Sequence, residues 1–120
     1  MIPVAQKAGT GVLAMKTFGD GHILRSGTIV PMEALHYGLS QDVSVVITGI
    51  DKPEILQQAL EAARTFKPFT PDQTATFLAK TRDAALTGKF EPFKTSGIFD
   101  GTANNPKWLG GPSGTEMKPS

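Results

Sequence analysis

The spacing of apolar positions changes along this chain, and each change marks an element. Val43, Val45, Val46 and Ile47 form a β-branched run with only Ser44 inside it. That pattern predicts a strand buried on both faces, as in a parallel sheet. Gly49 lets the chain turn. Asp51 then reads as a helix N-cap, with Glu54 three residues on completing a variant capping box and Pro53 in the first turn. Ile55, Leu56, Ala59, Leu60 and Ala63 recur at helical spacing and predict one apolar face.

The same rules parse the flanks. Gly11 to Met15 reads as a short first strand, ended by Lys16-Thr17-Phe18 and the Gly19-Asp20-Gly21 turn. Pro31 opens a helix whose buried stripe is Met32, Leu35 and Leu39, weakened at Gly38 by about 1 kcal/mol relative to alanine. Thr70-Pro71-Asp72-Gln73 announces a further helix: cap, proline at the first helical position, and glutamine three residues after the cap. Phe77, Leu78, Thr81, Ala84 and Ala85 supply its inner face, and Gly88 stops it. Ala5 to Ala8 reads as the end of a helix, which makes Met1 an expected internal methionine of a longer protein.

Residues 89–109 break the pattern. Phe90, Phe93, Phe99 and Trp108 stand among Gly, Asn and Pro, which predicts an irregular aromatic tail wrapped over a surface. Residues 110–120, GGPSGTEMKPS, are expected to be flexible. The organisation is therefore strand–helix twice, a third main helix, and a tail. Two parallel strands make a poor sheet alone, because both faces and both edges need cover. The chain reads as the end of something larger.

Composition narrows the function classes. Twelve basic and eleven acidic residues give a net charge of +1, no electrostatic case for nucleic acid or an anionic membrane. The absence of cysteine excludes a disulfide framework, a thiolate metal site and a cysteine nucleophile. No apolar run approaches the roughly 20 residues that span a bilayer. The expectation is a soluble cytoplasmic protein. His22 and His36 have no metal-ligand spacing around them and are read as structural.

Three stretches together carry a family likeness: "GVLAMKTFGDG", "EALHYGLSQDVSVVITGIDKPEILQQALEAA" and "KFEPFKTSGIFDGTANNPKWLG". In order and spacing they resemble the carboxyl-terminal part of an aldo/keto reductase, over roughly residues 4–109. The resemblance implies an α/β fold, the C-terminal fragment of a (β/α)8 TIM barrel, with Val12–Met15 as its seventh strand and Val43–Ile47 as its eighth. It implies an oxidoreductase acting on aldehydes and ketones with NADP(H), and a small carbonyl substrate as partner once the rest of the barrel is present. It also implies a deficit. The family's catalytic Asp, Tyr, Lys and His come from strands absent here, so no catalytic residue is assigned, and a full barrel takes about 250 residues.

The resemblance places the cofactor-binding candidates at Met15, Lys16, Thr17, Phe18, Gly49, Asp51 and Gln58. Barrel loops after strands seven and eight commonly hold phosphate, where a helix N-terminus presents free N–H groups. Met15 and Lys16 occupy positions where many members carry an aromatic and a serine. Each reads either as a cofactor contact or as core methionine and solvated charge. Asp51 stands where members often have serine, Ile55 where they have Arg or Gln, and Ala59 where they have Asn. An aspartate repels a 2′-phosphate, and in dinucleotide folds an acidic residue accepts from a free ribose 2′-hydroxyl. These departures weaken NADP selectivity and leave NAD(H) open, while Asp51 reads first as a helix cap and second as a ligand contact. Two rival classes stand beside the reductase: a nucleotide-binding remnant without chemistry, and an interaction module that self-associates through exposed strand edges.

Overall fold

The computed structural model describes residues 1–109; the expected flexible tail, 110–120, lies outside them. The chain is mixed α/β. Two short parallel strands, β1 (Leu13–Met15) and β2 (Val45–Ile47), pair in the register Leu13 to Val45, Ala14 to Val46 and Met15 to Ile47. Among the described residues six α-helices accompany them: α1 (Ile2–Lys7), α2 (Pro31–Leu39), α3 (Pro53–Thr65), α4 (Pro71–Leu86), and the single turns α5 (Pro92–Thr95) and α6 (Gly101–Asn104). The crossover from β1 to β2 carries α2, as a parallel pair requires.

The strands are not buried on both faces. Leu13, Met15, Val45 and Ile47 are 60, 62, 49 and 43% exposed, while Ala14 and Val46 between them are half-buried, Val46 against Gly38 of α2. The β-branched run is therefore covered on one face only. Two strands supply no second layer, so a sequence suited to a two-sided environment keeps an open apolar face.

Helix α2 holds the centre. Its buried positions are Ala34, Leu35 and Gly38, so the stripe runs through Leu35, with Met32 and Leu39 at its half-buried margins. A Cβ on Gly38 would sit 3.1 Å from the Thr17 methyl and 3.7 Å from Val46 Cγ1. The glycine that weakens the helix thus lets the loop after β1 and the strand β2 close on it. The core of Ile29, Ala34 and Phe77, flanked by Phe18, Ile23, Leu24, Tyr37 and Phe69, joins the crossover to α4.

Three expectations are corrected in the helices. Asp51 does not cap α3: the N-cap is Lys52, and no side chain accepts there. Proline at the first position fixes the start one residue later than the acidic pair suggests. The inner face of α3 is Ile55, Gln58, Ala59 and buried Ala62, while Leu56, Leu60 and Ala63 are exposed. On α4, Phe77, Thr81 and Ala84 turn inward, but Leu78 and Ala85 are exposed. In both helices the apolar residues cover a wider arc than the available layer can bury.

The Thr70 box is formed in full: Thr70 Oγ1 accepts from Gln73 N–H at 3.2 Å, and Gln73 Oε1 accepts from Thr70 N–H at 2.8 Å. Gly88, at φ 64°, ends α4 as expected. The segment after it forms short helical turns rather than an irregular strap. Phe90 is half-buried, but most of its other apolar side chains face solvent, with Ile98 82% and Trp108 71% exposed. The chain is correspondingly open, with a radius of gyration of 17.5 Å against roughly 13 Å for a compact domain of this size.

Candidate functional site

Because β1 and β2 run parallel, Met15 and Ile47 end side by side at one edge of the pair. Two loops leave from that edge, and all the predicted site residues but Gln58 lie on it or on these loops. Met15 is exposed at the strand's last position. Lys16 follows in a left-handed conformation, φ 57°, and the loop turns through Gly19, Asp20 and Gly21, all at positive φ. Gly19 N–H donates to the Lys16 carbonyl at 2.8 Å, and Ile23 N–H to the Phe18 carbonyl at 3.2 Å. Lysine and aspartate pay a steric cost in that region that glycine does not.

This turn brings the side chains of Lys16 and Asp20 together. Nζ and Oδ2 are 2.8 Å apart, with both side chains more than half exposed. Thr17 and Phe18 face the other way. Phe18 packs on the core, and Thr17 Oγ1 is buried without a hydrogen-bond partner. The close fit of the Thr17 methyl against Gly38 holds this side chain by packing.

The second loop is plainer. Gly49 is exposed, with nothing within 4 Å of where a Cβ would sit, and Asp51 is exposed beyond it. The first bonds of α3 run from Ile55 and Leu56 N–H to the Lys52 carbonyl, and no side chain caps its start. An uncapped helix start leaves backbone N–H groups to water or to a ligand anion. Gln58 lies apart, half-buried on the inner face of α3.

Behind the first loop a cavity of about 380 Å³ opens between that loop, α2, α4 and the Phe90-Glu91 segment. Ile23, Ile29, Tyr37, Phe77 and Phe90 give it apolar walls, with Lys16, Thr17 and Glu91 among the polar lining. Of the seven predicted residues only Lys16 and Thr17 line it; the structure does not bring Met15, Phe18, Gly49, Asp51 and Gln58 into it.

His36 is tied down structurally. Its Nε2 lies 3.1 Å from the Ala62 carbonyl and 3.4 Å from Thr65 Oγ1, and its ring meets Phe66 edge-on, joining α2 to α3. Among the described residues no group of three or more His, Cys, Asp or Glu side chains could hold a metal ion, and no helix is long and apolar enough to cross a membrane. Sequence reasoning missed the Lys16–Asp20 pair, although a spacing of four residues across a glycine turn was visible. It also missed the Glu33–Lys80 ion pair between α2 and α4, whose partners lie 47 residues apart.

Compared with protein-family models, with curated proteins and with solved structures, the chain finds no significant match in any of the three.

Proposed function

We propose that this chain is the carboxyl-terminal part of an aldo/keto reductase, the last two βα units of a (β/α)8 barrel, and that it supplies part of a nicotinamide-cofactor cradle. The observation that carries the reading is the shared edge of the parallel pair. The Lys16 loop leaves the end of β1, and the uncapped start of α3 follows the end of β2. Barrel phosphate sites are built from such a pair of loops. The open face of Leu13, Met15, Val45 and Ile47 supports the same reading, since those positions would face the interior of a closed barrel.

The residues fit a nicotinamide dinucleotide in part. Lys16 offers an ammonium to a phosphate, and the first turn of α3 offers N–H groups. Met15 offers a polarizable side chain to a ring. Asp51 opposes a 2′-phosphate and favours a free ribose hydroxyl, so NAD(H) competes with NADP(H) here. The cofactor supplies hydride when bound. This chain's residues bind and orient it, and proton transfer to a carbonyl belongs to the barrel's other strands. A cytoplasmic location goes with this reading.

The test is a thermal-shift and fluorescence titration of the purified chain with NADPH and NADH. Saturable stabilisation without turnover is the expected result, and carbonyl reduction is expected only with the remaining barrel strands added. A cooperatively folded chain indifferent to both nucleotides would sink the reading. The same exposed sheet face favours a second one, an interaction module that self-associates through its strand edges. A stable oligomer unaffected by nucleotide would select it.

A further inference from the structure

We infer that Asp20 is an internal stand-in for a ligand's phosphate, pairing with Lys16 and yielding it when an anion arrives. The inference rests on the cofactor reading above and adds to it a residue that sets the affinity of the site.

The pair is a product of the turn. Lys16 and Asp20 are four apart, yet no helix joins them. Their backbones take φ 57° and 55°, and this brings Nζ to 2.8 Å from Oδ2. Both side chains are more than half exposed, at 58 and 55%. Such a pair holds its geometry weakly, because water solvates either partner almost as well. A phosphate or pyrophosphate carries more charge and more acceptor oxygens than one carboxylate, and so competes for the ammonium. It therefore displaces Asp20. Once displaced, Asp20 remains on the same turn as a like charge beside the bound anion. Its carboxylate opposes binding twice, first as competitor and then by repulsion, and favours only ligands with enough charge to overcome both.

Asparagine separates charge from conformation. Among residues with a side chain it tolerates left-handed φ well, so Asp20→Asn keeps the turn while removing the competing charge. The experiment titrates the full chain with NADPH and, separately, with inorganic pyrophosphate, in the wild type, Asp20→Asn, Lys16→Met and the double variant. The expected result is that Asp20→Asn binds both probes tighter, by roughly two- to five-fold, the order that an exposed ion pair commands. Binding should also be more salt-sensitive, and the gain should shrink in the Lys16→Met background to what like-charge repulsion alone supplies. Unchanged affinity in Asp20→Asn, or a gain undiminished by Lys16→Met, overturns the inference while leaving the cofactor reading intact. A gain for pyrophosphate with no saturable NADPH binding in any variant supports the role of Asp20 and overturns the cofactor reading instead. If neither probe binds wild type or Asp20→Asn, both fall.

Discussion

The rings of Tyr37 and Phe77 stack with centroids 4.5 Å apart and planes 17° from parallel, and Phe69 meets the Phe77 ring edge-on at 5.9 Å. This cluster joins α2 to α4 across the connecting segment, where Phe69 N–H also donates to Ser40 Oγ at 2.9 Å. Few other buried apolar residues are present: with Phe77, only Ile29, Ala34, Leu35 and Ala62 are buried hydrophobics among the described residues. Phe77→Ala is therefore expected to lower stability by about 3–5 kcal/mol, the usual cost of emptying a phenylalanine site. Tyr37→Phe keeps the stacked ring and should cost no more than about 1 kcal/mol. Urea unfolding followed by circular dichroism checks both.

Thr70 and Asp51 look alike in sequence, each a capping residue followed by proline and an acidic or amide side chain. Only Thr70 makes the bonds. Thr70→Ala should cost about 1 kcal/mol of stability, whereas Asp51→Ala should leave the melting midpoint within experimental error. If the cofactor reading is right, Asp51→Ser raises affinity for NADPH more than for NADH, because it removes a charge that meets only the 2′-phosphate. Equal changes for the two nucleotides would exclude Asp51 from the site.

Much of the secondary structure was legible because local chemistry decides it. Pro31, the Thr70 box and Gly88 each fix a helix boundary by a bond or a backbone angle that neighbours cannot override. The faces of α3 and α4 were less legible. Leu56 and Leu60 satisfy helical periodicity as well as Ala59 does, and only the layer opposite decides which of them is covered. The strands show the limit most clearly. Val45 and Ile47 have the sequence of buried positions, and the layer that would bury them is absent from the described chain. At the candidate site, the turn after β1 was visible in its glycines, but the left-handed Lys16 was not, since lysine carries no preference for that angle.

Glu33 gives the chain a pH dependence. Lys80 donates to its Oε1 and Val30 N–H to its Oε2, and these bonds, with the charge of Lys80, hold its carboxyl below the ordinary value near 4.5. Folded Glu33 thus gives up its proton more readily than unfolded Glu33. Its stabilisation is present in full above the ordinary value and is lost as pH falls through the lower, folded one. Wild type should be more stable than Glu33→Gln at pH 7, and the difference should shrink progressively below about pH 4.5. Unfolding curves of both proteins from pH 7 to pH 3 measure this. A difference that does not vary with pH would mean that the pair contributes through packing alone.

The uncovered face of the parallel pair makes the sharpest structural prediction. Leu13, Met15, Val45 and Ile47 form a contiguous apolar surface on two strands with free edges, the arrangement that invites another strand or layer. Replacing Leu13 and Val45 with threonine places a β-branched side chain of high strand preference at both positions while removing apolar surface from water. Because neither residue is buried, the double variant should change stability by no more than about 1 kcal/mol. Binding of a hydrophobic dye should fall, and concentration-dependent association in sedimentation should weaken. The same substitutions should impair recovery of activity when the chain is combined with the remaining strands of a barrel, since those positions would then face a packed interior. Loss of self-association together with intact recovery would show that the face is a surface between copies and not the inside of a barrel.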